Sequence, residues 1–318
     1  MKIHGLLKGL SLFIVMLTSS CAVNESEVNI RPEGRNVPVV QADTGEDVVR
    51  HLVSRYNDIR FKCDSESKPA FLCTGILIRG TSNSPTYHVW ENSPASIEKG
   101  GVSVSYLRAD SNFNKLALGY NNGYILTAYE FAPAKAHPEI LCFFAIDAAT
   151  VHRDNKGCGT YTGFPASAPC HLQGITTTAQ WWAHYNANAS DRRLKQCGLD
   201  VSDDRNSLAG PAFMAGIGGM RLMGNESFQV PNELILSAWG NGLGKSLPLE
   251  AFFYLEGSAG VTVAQRNQKG LEATDGIRIP IISVRLPSAM GEAAAFSYNE
   301  NDQSKHEPVT GEPGHASL

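Results

Sequence analysis

Three short stretches of the 318-residue sequence set charged or hydroxyl side chains into apolar runs. Ile76-Leu77-Ile78-Arg79-Gly80-Thr81 ends an aliphatic run with an arginine, just before a glycine turn. Gly101-Val102-Ser103-Val104-Ser105-Tyr106-Leu107 alternates, so Ser103, Ser105 and Leu107 share one strand face while Val102, Val104 and Tyr106 take the other. Asn232-Glu233-Leu234-Ile235-Leu236 brings a carboxylate into a third apolar strand. An arginine and a glutamate on strands that read as buried need partners or a ligand, because unpaired buried charge is unfavourable. A guanidinium offers a permanently charged planar fork for phosphate or ribose oxygens. A fixed, ionised carboxylate stabilises positive charge developing beside it and accepts a hydroxyl hydrogen bond. Arg79, Gly80, Ser103, Ser105, Tyr106 and Glu233 are therefore the candidate site residues. Tyr87 and Trp90 are further candidates for stacking on a ring, although aromatics near strands more often belong to a core.

These residues need an α+β scaffold to hold them. Thr44-Gly45-Glu46-Asp47 opens like a capping box, and Val48, Val49, Leu52, Val53 and Tyr56 follow at helical spacing, predicting a helix over about 46–59. Strands are expected near 71–79, from 102 onward, and near 123–128, 139–146, 228–238, 250–256, 260–265 and 278–286. Thr177 with Gln180 predicts a second capped helix running through Trp181, Trp182 and Tyr185 towards Leu194. Residues 209–224 read as a glycine-interrupted helix, and 150–174, rich in Gly, Pro and Cys, as a stapled loop. The polar end, 298–318, reads as a disordered tail. There is no internal repeat.

Composition and missing motifs narrow the chemistry. A 42% hydrophobic content excludes disorder for the bulk of the chain, and 27 Lys+Arg against 31 Asp+Glu exclude a nucleic-acid binder working through a broad basic surface. No G-x-S-x-G elbow, H-E-x-x-H helix or Walker loop is present. Closely spaced C-x2-C pairs are absent, so the cysteines do not read as zinc ligands and no metal is expected.

The N-terminus reads as an export signal over 1–20. Lys2 and Lys8 precede the apolar run Leu10–Leu17, and Leu17-Thr18-Ser19-Ser20-Cys21 looks like a lipoprotein box with Cys21 as the lipidated first mature residue. Cleavage after Ala22 and release is the alternative. Residues 21–43 then form a tether, and a membrane is touched only through the lipid on Cys21. Setting Cys21 aside leaves Cys63, Cys73, Cys142, Cys158, Cys170 and Cys197, enough for three disulfides in an oxidising compartment. Proximity suggests Cys63–Cys73 and Cys170–Cys197.

The order Arg79, then Ser103-x-Ser105, then Glu233 before an aliphatic strand resembles the R-S-E plan of ADP-ribosyltransferases. More specifically, Arg55-Tyr56-Asn57-Asp58, Phe71-Leu72-Cys73-Thr74-Gly75, Arg79-Gly80-Thr81, Gly100-Gly101-Val102-Ser103 and Gln173-Gly174-Ile175-Thr176-Thr177 are similar to segments of halovibrins, secreted bacterial proteins described as ADP-ribosyltransferases or NAD glycohydrolases. The likeness spans about 45–290 and implies a catalytic domain over 44–297, a split β-sheet core with flanking helices, and NAD as substrate in the cleft. It also implies transfer of ADP-ribose to water or to an acceptor protein of a host or competitor cell. In that plan the Arg holds the dinucleotide, the Ser-x-Ser strand shapes the pocket, and the Glu stabilises the oxocarbenium-like ribose as nicotinamide leaves. One position departs from it. Arginine-modifying relatives carry a second acid two residues before the Glu, and here that position is Pro231; Gln229 lies two residues further upstream. Two rival readings are a non-catalytic exported surface-binding lipoprotein and a glycan hydrolase using Glu233 with Glu250.

Overall fold

The computed structural model describes residues 44–60, 70–128, 139–154, 157–164, 167–200, 216–221, 223–237 and 247–305. The expected leader and tether, Cys63 and the chain beyond 305 lie outside them.

Nine strands form one mixed sheet. They are β1 (Ile76–Gly80), β2 (Val102–Leu107), β3 (Asn122–Leu126), β4 (Glu139–Phe144), β5 (Leu199–Asp200), β6 (Glu233–Ser237), β7 (Leu249–Leu255), β8 (Ile281–Arg285) and β9 (Ala295–Tyr298), in the order β5-β4-β6-β2-β1-β3-β7-β8-β9. Every pairing is antiparallel except β7 with β8. Six helices accompany them: α1 (Gly45–Asn57), α2 (Pro94–Lys99), α3 (Thr178–Ala187), α4 (Arg192–Lys195), α5 (Asn225–Gln229) and α6 (Gly260–Asp275). Residues 216–221 are helical as well.

The local rules act where the sequence places them. Thr44 and Asp47 close a reciprocal capping box at α1, and the buried stripe Val48, Leu52, Tyr56 packs on Ile282, Val284 and Phe296. Thr177 and Gln180 do the same for α3, which stops at Ala187; α4 begins after a break. Between α2 and β2, Gly100 closes the helix in the left-handed conformation at φ 68°, which glycine adopts without strain.

Two expectations are corrected. Residues 260–265 are not a strand but the start of α6. A parallel β7–β8 pair needs a crossover, and α6 supplies it. Its buried face, Gly260, Val263, Ala264, Asn267, Gln268 and Leu271, follows the helical period, but two of those residues are polar. Val261 and Val263 alternate as a strand would. Residues 298–305 of the expected disordered tail have defined structure: β9 ends at Tyr298, Glu300–Asp302 form a 3-10 turn, and the Gln268 carboxamide donates to the Ile279 carbonyl at 2.7 Å and accepts from the Ser304 N–H at 2.8 Å.

What positions the site is the way β2 is shared. Its first three residues pair with β6 (Val102↔Leu236 to Val104↔Leu234), and its last three with β1 (Ile76↔Leu107 to Ile78↔Ser105). Neither ladder runs the strand's full length. Past the β6 pairing, the Asn232 side chain imitates a strand, its Oδ1 accepting from Tyr106 N and its Nδ2 donating to Tyr106 O, both at 2.7 Å. Past the β1 pairing, Arg79 Nη1 donates to the Ser103 carbonyl at 2.6 Å.

One face of the sheet carries a continuous core that includes Leu77, Val102, Val104, Tyr106, Tyr124, Leu234 and Phe252. On the other face the apolar residues form two separate clusters, Ile76, Ile78, Leu107, Ile125 and Phe253 in one and Leu141, Cys142, Phe144, Cys158 and Ile235 in the other. Ser103, Ser105 and Glu233 lie between them. Asn232→Ala should lower stability by about 1–3 kcal/mol, because it leaves a buried N–H and C=O of Tyr106 unpaired. Chemical denaturation measures this, and a loss below about 0.5 kcal/mol would show that the two strands do not need the bridge.

Candidate active site

A cleft of about 280 Å³ opens where β2 leaves its neighbours, bordered by Arg79, Gly80, Ser103, Ser105 and Glu233. Five of the six candidate residues thus come together although they are spread over more than 150 positions of sequence. Tyr106 is the exception and corrects the expectation. It is fully buried on the opposite strand face, its hydroxyl bonded to Thr74 Oγ1 at 2.7 Å, and burial pushes its phenol pKa up. Trp90 is likewise buried, stacked on His88 at 4.6 Å and edge-on to Phe252. Tyr87 shares a small recess with Arg79, Glu91 and Tyr124 beside the cleft.

Glu233 opens β6 and is 4% exposed. Its Oε1 accepts from Ser103 Oγ at 2.7 Å and from the Thr150 N–H at 3.4 Å, and its Oε2 accepts from the Ala148 N–H at 2.9 Å. The two backbone donors face the carboxylate because Ala149 between them is left-handed, at φ 55°. A non-glycine residue in that region carries roughly 1–2 kcal/mol of strain. Burial, followed by the charge of Asp147, holds the Glu233 carboxyl above the ordinary glutamate range; the hydrogen bonds from Thr150, Ser103 and Ala148 oppose the shift.

The turn carrying those donors is held from behind by Arg153. Its guanidinium has no solvent exposure and donates to five carbonyls: Ala148 (3.3 Å), Gly159 (2.9 Å), Ser167 (3.2 Å), Leu194 (2.9 Å) and Gln196 (3.2 Å). It also lies over the Phe144 ring at 4.5 Å. Burial pushes its pKa down to about 10, and the nearby Glu233 charge works against that fall. Disulfides Cys142–Cys158 and Cys170–Cys197, with Cα separations of 5.5 and 4.8 Å, brace the segments on either side. Cys170–Cys197 is the pair expected from proximity. Cys73 is also disulfide-bonded, and its expected partner Cys63 lies outside the described residues.

Other cleft residues carried no local signal in the sequence. Asp147 follows β4, and its N–H donates to the Pro231 carbonyl at 2.7 Å. Its carboxylate accepts from the Ala149 N–H and from Arg193 Nη2, each at 2.8 Å, and Arg193 Nε also bonds the Asp147 carbonyl. His152, Tyr120 and Leu118 complete the rim, Leu118 left-handed at φ 55° and 81% exposed. Gly80 has no room for a side chain, because a Cβ would sit 2.7 Å from that of Tyr120.

Glu250, the competing carboxylate, does not border the cleft; it forms an ion pair with Arg55 in which both side chains are less than 10% exposed. Its strand, β7, stands four places from β6 in the sheet, or about 19 Å at the usual strand spacing. Among the described residues no cluster of His, Cys, Asp and Glu could hold a metal ion. A comparison with known protein-family models gives no match, and one with curated protein sequences gives none either.

A carboxyl whose folded pKa is raised keeps its proton where the unfolded chain has lost it. Its contribution to stability is therefore present in acid and lost as pH rises through the folded value. Glu233→Gln should raise the melting temperature at neutral pH, by about 2–4 °C for each kcal/mol of relief, and the gain should fade below the ordinary carboxylate range. Thermal denaturation of both proteins across pH measures it; a variant less stable at every pH would show that the charge is fully compensated in place.

Proposed function

We propose that this chain cleaves the nicotinamide–ribose bond of NAD and passes ADP-ribose to water or to an acceptor side chain. The supporting observation is the convergence of Arg79, Ser103, Ser105 and Glu233 on one cleft at the point where β2 parts from both neighbours. In this reading Arg79 spends one nitrogen on the Ser103 carbonyl and turns the rest of its fork to the dinucleotide. Glu233, oriented by Ser103 and two backbone N–H groups, sits beside the ribose. It stabilises the positive charge that builds as the glycosidic electron pair leaves with neutral nicotinamide. The resemblance to halovibrins and the export signal fit an exported enzyme that meets NAD outside its own cytoplasm. A glycan hydrolase using Glu233 and Glu250 is disfavoured, because paired glycosidase carboxyls stand about 5–9.5 Å apart.

The test is incubation of the purified protein with NAD and assay of free nicotinamide. Glu233→Gln should cut turnover by about 10²-fold or more with little change in NAD affinity. Arg79→Lys should weaken NAD binding as well, since an ammonium lacks the planar fork. Turnover should also fall in acid, with its midpoint above the ordinary glutamate value of 4.5, as Glu233 takes up its proton. NAD binding without nicotinamide release would make this a non-catalytic binding protein, and loss of activity in Glu250→Gln but not Glu233→Gln would place the chemistry on the other strand.

A further inference from the structure

Position 231, two residues before Glu233, carries no acid, yet an acid stands beside it. The Asp147 N–H is bonded to the Pro231 carbonyl at 2.7 Å, and the next residue, Ala148, donates its N–H to Glu233 at 2.9 Å. The cleft therefore has a second carboxylate, delivered from the end of β4 rather than from β6. That carboxylate is not free. Arg193 Nη2 lies 2.8 Å from Asp147 Oδ2, and its Nε is bonded to the Asp147 carbonyl, which fixes the plane of the guanidinium. The Arg193 side chain remains 41% exposed and borders the same cleft as Glu233. An arginine is thus held, with an acid against one of its N–H groups, at the mouth of the pocket where the ribose cation would form.

We propose that Arg193 is itself an acceptor, so that the enzyme ADP-ribosylates its own chain at this guanidinium. The proposal rests on the NAD reading above. In the step, the bond from ribose C1′ to nicotinamide breaks, and its electron pair leaves with neutral nicotinamide. Asp147 takes one proton from an Arg193 Nη, whose lone pair then forms the new bond to C1′. The substituted guanidinium keeps its positive charge, and the proton passes from Asp147 to solvent. Neither neighbouring arginine is placed for this. Arg79 directs Nη1 to a carbonyl, which takes up no proton, and Arg192 pairs with Glu226 and lies over the Tyr185 ring, outside the cleft.

The experiment incubates the full-length mature protein with NAD, follows nicotinamide release, and locates ADP-ribose by fragmentation mass spectrometry that separates Arg192 from Arg193. The expected result is a label on Arg193 that appears with nicotinamide, is absent when free ADP-ribose replaces NAD, and is absent in Glu233→Gln. Arg193→Lys should lose the label while remaining folded by circular dichroism. Asp147→Asn should lower label per nicotinamide released by at least tenfold, a ratio that general loss of activity does not change. Nicotinamide release with Arg193 unmodified, or a label at Arg192 or elsewhere, overturns the inference and leaves the NAD reading standing. No nicotinamide release at all overturns the NAD reading, and this one with it.

Discussion

The burial of one carboxylate organises this molecule. Glu233 enters a strand whose next three residues are fully buried, and an ionised group there is tolerated only if donors replace the water it gives up. The donors come from two distant parts of the chain. Ser103 lies on β2, and Ala148 and Thr150 flank a left-handed alanine after β4. That turn would not hold its shape alone. Arg153 bonds the Ala148 carbonyl on the other side of the same peptide framework and spends its remaining donors on four more carbonyls, so a buried cation stands behind a buried anion without touching it. Direct pairing would have neutralised Glu233; the intervening turn leaves its charge directed to the cleft.

The cleft itself follows from an incomplete ladder. A strand pairing fully with both neighbours has no backbone N–H or carbonyl left over. β2 pairs with β6 over its first half and with β1 over its second, and side chains take over where each ladder stops. Asn232 seals the gap towards β6, and Arg79 spans the gap towards β1 while keeping part of its fork unspent. The same parting divides the apolar packing of that face into two clusters, which leaves Ser103 and Ser105 at the border of the cleft between them. The hydroxyl pair is therefore a property of the split as much as of the strand.

Much of this was legible because the strands are short and strongly alternating. Period two alone sets Ser103 and Ser105 opposite Val102, Val104 and Tyr106, and that alternation already spoke against Tyr106 as a ligand contact. Arg79 and Glu233 stood out because charge at the end of an aliphatic run demands an explanation. Helix α6 was hidden, since Asn267 and Gln268 interrupt its buried stripe, and Gln268 is satisfied through long-range hydrogen bonds that no local pattern encodes. Asp147, Arg193 and Arg153 were hidden for a related reason. Asp147 and Arg153 lie in the irregular stretch after β4, and Arg193 lies in the short helix α4, so what brings them together is tertiary.

Pro231 takes part in the site through its backbone. Proline contributes no N–H, but its carbonyl is available, and here it receives the Asp147 N–H. Position 231 carries no acid, and its carbonyl helps to dock the segment after β4 that brings Asp147. Asp147 arrives there with its own cation, Arg193, already bound. An acid on β6 would face whatever enters the cleft. An acid pre-paired with a guanidinium presents an arginine in advance, and an external arginine has to displace it. The chain that supplies both is tied by two disulfides, Cys142–Cys158 starting on β4 ahead of Asp147 and Cys170–Cys197 closing just after α4. In the proposed reaction, the choice between water, Arg193 and a foreign side chain then depends on how readily the Asp147–Arg193 pair opens.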